Sequence, residues 1–184
     1  MNELVIGCQR LEASAQTEFY KRYKGKLIGI CIRYAKTYAE GEDIFQEAFI
    51  KVFKNINEVK DIEAIDSWVR SIVIRTAINY YNRTTKQQLL HTDLDNFDSN
   101  TQSADYESFV DQMDTEIILD VISQLPDSYR IIVNLHLIDG YTHAEIAVML
   151  SIADSTARSQ YHRARNVLMK KLQKIGITRY EIPG

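Results

Sequence analysis

The chain has 184 residues, 45% of them apolar and 26% charged, a size and balance suited to a soluble globular protein of one ordinary domain or two small ones. Only seven glycines and two prolines occur, so an all-β reading has little turn chemistry to rest on, and no apolar stretch approaches the length of a membrane span. The net charge of −3 is unevenly spread: residues 1–90 and 121–184 each sum to +3, while residues 91–120 carry nine acids and no base. The acidity therefore does not exclude a nucleic-acid partner for either end.

Met1 to Val5 lacks a basic segment followed by an apolar one, which predicts a cytoplasmic protein. Cys8 and Cys31 sit far from any second Cys or His at metal-ligand spacing and read as ordinary thiols in a reducing compartment. From Ala13 to Lys36, Phe19, Tyr23, Leu27, Cys31 and Tyr34 recur in steps of four and three, the signature of one face of a helix or helix pair. A second helix is predicted from about Glu42 to Asn55. A third is predicted from Asp66, as N-cap, towards Arg83, with Trp68, Ile72, Ile74 and Ile78 as its apolar set. Trp68 reads as a core anchor in preference to a base-stacking platform.

From His91 to about Asp114 the sequence turns to Asp, Asn, Ser, Thr and Gln with isolated apolar residues. Such a segment buries too little apolar area to offset its ordering entropy, which predicts a linker. Order resumes at Thr115 with Ile117, Ile118, Val121, Ile122 and Leu125, and Pro126 opens a further helix that ends at Asp139-Gly140. Thr142 and Glu145 form a capping box for a helix reaching Leu150. After the turn Ser151-Ile152-Ala153, Asp154 is the expected cap of a last helix with Ala157, Tyr161, Ala164, Leu168 and Leu172 on its apolar face.

Two helices separated by a three-residue turn have the form of a helix-turn-helix, whose second helix enters the major groove. Arg158, Arg163, Arg165, Lys170, Lys171 and Lys174 lie on that second helix with Asp154 as its only acid, and Ser155, Thr156, Ser159, Gln160 and His162 add short polar groups among them. That mixture suits phosphates and base edges together. A basic stripe alone is equally a solvated helix face; the capping box and turn length favour DNA.

Leu125 to Arg130, Gly140 to Ala147 and Ser155 to Arg165 resemble domain four of the extracytoplasmic-function sigma factors, which belong to the sigma-70 family of RNA polymerase. Glu42-Asp43-Ile44-Phe45-Gln46-Glu47-Ala48-Phe49 resembles the polymerase-binding segment of sigma domain two, and Ser67 to Arg83 the helix that reads the minus-ten element. The resemblance spans nearly the whole chain in the right order. It implies an all-α chain of two small helical domains, residues 1–90 and 115–178, joined by an acidic flexible linker over 91–114, with the helix-turn-helix in the second.

The same resemblance implies promoter DNA and core RNA polymerase as partners, the latter through its β′ clamp helices and β flap, together with an anti-sigma factor. It implies no membrane insertion, cofactor, metal or enzymatic activity. Asp43, Gln46 and Glu47 would dock on the polymerase. Arg158, Ser159, His162 and Arg163 would face bases of the minus-thirty-five element, with Ser155, Thr156 and Arg165 on phosphates. In the minus-ten helix the candidates are Arg70, Arg75, Asn79 and Arg83; Arg75 stands where the family commonly has asparagine, and the basic residue usual after the aromatic pair is displaced to Arg70. Ser151 and Ser155 stand where glycines are usual. The loop from Asn57 to Asp66, with Asn57, Lys60 and Asp61, corresponds to the family's base-capturing loop.

A DNA-binding regulator independent of polymerase would account for the second half and leave the block from Asp43 to Phe49 unexplained. An enzyme finds no nucleophile elbow, phosphate-binding loop or His-x-x-x-His pair, and Gly140 interrupts the stretch between His136 and His143.

Overall fold

The computed structural model describes residues 2–88 and 115–177, and among these all regular structure is helical. The chain divides into two compact units, Met1–Thr92 and Asp93–Gly184. The predicted linker over 91–114 lies outside the described residues. No helix among the described residues is long and apolar enough to cross a membrane.

The first unit contains α1 (Asn2–Gln9), α2 (Ala13–Tyr34), α3 (Tyr38–Asn55), a 3-10 turn at Ile56–Glu58, and α4 (Ile65–Gln88). Helix α1, which hydrophobic spacing did not reveal, packs on α2. Its eight residues are too few to show a sustained apolar period. Every residue of the predicted α2 face, from Phe19 to Tyr34, is buried. Helix α3 begins one turn earlier than the sequence suggests because Thr37 caps it, its side chain accepting from the Glu40 amide at 3.2 Å.

Phe19, Tyr20, Tyr23, Phe45, Phe49 and Phe53 form the aromatic centre between α2 and α3, with Phe19 and Tyr23 rings 4.5 Å apart and Phe45 and Phe49 also 4.5 Å apart. Truncating such a ring to alanine costs about 3–5 kcal/mol. Gly41 allows the close approach of these helices: a Cβ there would sit 2.9 Å from Ile32 Cγ1 and 3.2 Å from Ile32 Cα.

Two expectations for α4 need correction. Asp66 is not its N-cap but lies in its first turn, where it accepts a hydrogen bond from the Tyr23 hydroxyl; burial and then this carboxylate push the Tyr23 phenol far above its ordinary range. The buried face runs through Ile65, Val69, Val73, Ile74, Ala77 and Ile78, leaving Trp68 and Ile72 half-buried at its margin. Both the second and third helices press on α4. It therefore buries a wide arc that a single stripe of apolar residues does not define.

In the second unit, α5 (Thr115–Ser123) is followed by α6 (Asp127–Val133), which continues as one π-helical stretch over Asn134–Ile138, then by α7 (His143–Leu150) and α8 (Asp154–Lys174). Pro126 is the residue before α6, not its first. Ile118, Val121, Ile122 and Leu125 are buried as expected, while Ile117 is exposed. Helix α8 is the spine against which α5, α6 and α7 all pack. Ala157, Ala164, Leu168 and Leu172 are buried along it, and Tyr161 is half-buried.

Candidate functional site

The helix-turn-helix is built by local chemistry. Thr142 accepts from the Glu145 amide at 3.3 Å while the Glu145 carboxylate accepts from the Thr142 amide at 2.8 Å, closing the capping box at the start of α7. Hydrogen bonds donated by the Thr142 amide and by the Thr142 hydroxyl, the latter at 2.7 Å, hold the Glu145 carboxyl below its usual range. Helix α7 ends with Ser151 in the left-handed region, φ 57° and ψ 44°. The Ile152 amide then returns to the Ala147 carbonyl at 3.0 Å, which turns the chain towards α8.

Asp154 does not cap α8. The N-cap is Ala153, without a side-chain bond, and Asp154 stands in the first turn with its Oδ2 accepting from Arg158 Nε at 2.8 Å. Extended backbone at Ala153 (φ −72°, ψ 149°) places the helix boundary one residue early. The carboxylate still complements the helix dipole, but through the field and not by a capping bond.

The core side of α8 is fixed by Ala157, Ala164 and Leu168, so the opposite arc faces outward. Ser155, Ser159, His162 and Arg163 occupy that arc and are exposed. Arg158 is exposed at its rim in the pair with Asp154, Thr156 and Arg165 are half-buried, and the Ser159 hydroxyl donates to the Thr156 carbonyl at 3.0 Å. Asn166, four residues beyond His162 and half-buried, continues the same line; sequence reading passed over it because it carries no charge.

Beneath this arc the His136 and His143 rings stack with centroids 4.3 Å apart, and Tyr161 meets His136 edge-on at 4.3 Å. The two histidines that Gly140 separates in sequence are thus brought together by the return of the chain. A carbonyl only accepts, so the 2.8 Å contact from His136 Nδ1 to the Tyr141 carbonyl places the proton on Nδ1. Burial first, then the neighbouring His136 and Arg158, lower the His143 pKa, which favours the neutral ring stacked on His136. Among the described residues no group of three or more His, Cys, Asp or Glu side chains is placed to hold a metal ion.

In the first unit, Arg75, Asn79 and Arg83 recur every fourth residue along α4 and are exposed. Arg70 is exposed as well but lies about 140° around the helix from Arg75, so the four predicted minus-ten residues do not share one face. On α3, Asp43 and Gln46 are exposed on one face with Ile50, which is 69% exposed. Ile50 was not singled out from the sequence, since an apolar residue in a helix is normally assigned to the core.

Glu47 lies beside this face with both oxygens engaged, Oε1 by Lys51 Nζ at 2.8 Å and Oε2 by Arg83 Nη2 at 2.6 Å. Burial alone would raise its carboxyl; the two cations outweigh burial and hold it below the usual range. The later part of α4 lies against α3 through the Arg83–Glu47 pair, and burial and then the carboxylates of Glu40 and Asp43 raise the Tyr80 phenol. In the connection from α3 to α4, Asn57 and Lys60 are exposed, whereas Asp61 accepts from the Glu63 amide at 3.0 Å and shapes the turn.

Residues 19–87 match the family model for sigma-70 region 2, and residues 115–168 match that for sigma-70 region 4. Among curated proteins, the chain is 27% identical over 180 residues to the extracytoplasmic-function RNA polymerase sigma-E factor of Haemophilus influenzae, covering 94% of this chain and 95% of that one. It is 27% identical over 182 residues to the RNA polymerase sigma-H factor of Pseudomonas aeruginosa, covering 94% of each. Among solved structures, the sigma factor RpoE of Bartonella quintana, in complex with the anti-sigma factor NepR, shares the fold at a TM-score of 0.51 and 18% identity. The likeness covers 85% of this chain and 97% of that one.

Proposed function

This chain belongs to the extracytoplasmic-function group of the sigma-70 family and is a promoter-specific transcription initiation factor; we propose that three of its surfaces carry that work. The outward arc of α8, with Arg158, Ser159, His162 and Arg163 towards base edges and Ser155, Thr156 and Arg165 towards phosphates, reads the minus-thirty-five element. The line Arg75, Asn79 and Arg83 on α4 meets the minus-ten element, with Arg70 contributing from a neighbouring face. Asp43, Gln46, Glu47 and Ile50 dock on the clamp helices of the polymerase β′ subunit, the carboxylates against basic groups and Ile50 as the apolar contact between them.

The functional boundaries that go with this reading are residues 1–90 for polymerase and minus-ten binding, 91–114 as linker, and 115–178 for the minus-thirty-five element and the β flap. The protein acts by binding and not by catalysis, in the cytoplasm where polymerase and chromosome meet. An anti-sigma factor of the kind seen with the Bartonella protein is its proposed regulator.

The observation that carries this assignment is the exposed Asp43, Gln46 and Ile50 face in a unit separate from the helix-turn-helix, because DNA binding without polymerase has no use for it. Reversing charge at Asp43 and Glu47 together should abolish binding to core polymerase with helicity intact by circular dichroism. Unchanged affinity would overturn the docking assignment, and failure of the unaltered chain to support run-off transcription with core polymerase over a random promoter library would overturn the promoter reading.

A further inference from the structure

The Glu47 carboxylate, proposed as a polymerase contact, is already occupied. Lys51 Nζ holds Oε1 from four residues along the same helix and also reaches Thr76 Oγ1 at 3.4 Å, a side chain only 1% exposed. Arg83 holds Oε2 at 2.6 Å from the other helix, 36 residues away, with its side chain 60% exposed and its guanidinium 5.8 Å from the Tyr80 ring centroid. Lys51 is tied into the packing between α3 and α4. Arg83 is the cation that can leave, since water and a phosphate can both receive it. A basic group arriving at Glu47 must displace one of them, and Arg83 is the less constrained.

We propose that Arg83 is an internal competitor that couples the polymerase surface to the DNA surface, holding Glu47 in the free protein until one partner captures either side of the pair. This rests on the assignment of Glu47 to polymerase docking and of Arg83 to promoter DNA. Polymerase that takes Glu47 frees Arg83 for a DNA phosphate, and DNA that takes Arg83 frees Glu47. Binding free energies are linked, so each partner strengthens the other's binding by the same factor. The pair is partly exposed, which limits that factor to about two- to fivefold at low salt and less as salt screens it.

The test is the affinity of the labelled full-length chain for core polymerase, without DNA, for the unaltered protein, Arg83→Ala, Glu47→Gln and the double variant. Glu47→Gln is expected to weaken binding. Arg83→Ala is expected to tighten it about two- to fivefold and to give no gain in the Glu47→Gln background. Arg83→Met, which keeps the apolar stem over Tyr80, should reproduce the gain and separate charge from packing.

If Glu47→Gln weakens binding while Arg83→Ala leaves it unchanged or weaker, the competition is overturned and the docking assignment stands. Equal tightening in both backgrounds would mean that Arg83 repels polymerase directly, which also overturns the link through Glu47. Should Glu47→Gln have no effect, the docking assignment of Glu47 fails and the competition with it.

Discussion

The turns at Gly140 and Ser151 both place a residue in the left-handed backbone region, one suited to it and one not, so the same substitution chemistry has opposite signs at the two. Gly140 has φ 77° and nothing within 4 Å of a Cβ built on it. Ser151, at φ 57°, carries a side chain where helix ends usually have glycine. With no clash at Gly140, the cost of alanine there is the backbone cost alone, about 1–2 kcal/mol for an L-residue in this region. The stiffer unfolded chain offsets about 0.4–1 kcal/mol of that. Gly140→Ala should therefore destabilise the second unit by roughly 1 kcal/mol, and Ser151→Gly should stabilise it by roughly 0.5–1 kcal/mol on the same arithmetic reversed. For a unit of this size, 1 kcal/mol moves the midpoint by about 4–8 °C. Calorimetry of the full-length chain, following the transition of the second unit, should show the two variants moving it in opposite directions. Ser151→Gly leaving the transition in place or lowering it would refute left-handed strain at the turn between α7 and α8.

Arg163→Ala should cost about 1–3 kcal/mol at the cognate promoter and relax preference at one base pair, whereas Lys170→Ala should weaken all duplexes alike or do nothing. Competition between promoter and scrambled duplexes by the holoenzyme checks this, and equal losses for Arg163→Ala on both would mark α8 as an electrostatic anchor only. Ile50→Ser should weaken core polymerase binding tenfold or more, from about 1.5–3 kcal/mol of apolar burial at the interface, with no change in thermal stability because Ile50 is exposed in the free chain; normal affinity would remove Ile50 from the docking face. His143, whose folded pKa lies below its unfolded value near 6.5, gains protons on unfolding between those two values. Its contribution to stability is thus complete above pH 6.5 and is lost as pH falls through that value towards the folded one. The second unit's transition should drop over this range in the unaltered chain and drop less in His143→Gln; identical pH profiles would remove His143 as the cause.

Features that depend on residues within a turn or two of each other were legible in the order of residues. The four- and three-residue steps from Phe19 to Tyr34 defined the buried face of α2, Thr142 and Glu145 defined the start of α7, and Ala157, Ala164, Leu168 and Leu172 defined the inward side of α8, which left Ser155, Ser159, His162 and Arg163 outward. These follow from a helical period and a local capping bond, and both are printed in the order of residues. Ser155 to Arg165 and Asp43 to Glu47 were likewise legible as candidate sites because their residue types and spacing resemble those of a known family. Tertiary structure decided the rest. The wide buried arc of α4 depends on two helices pressing on it from different sides, so Trp68 moved to the margin and Asp66 became the partner of Tyr23. The stacking of His136 on His143 depends on the chain's return through Gly140. The pair between Glu47 and Arg83 joins groups 36 residues apart, and no local period encodes it, because which charges meet across two helices is set by their crossing and register, which only the packed core fixes.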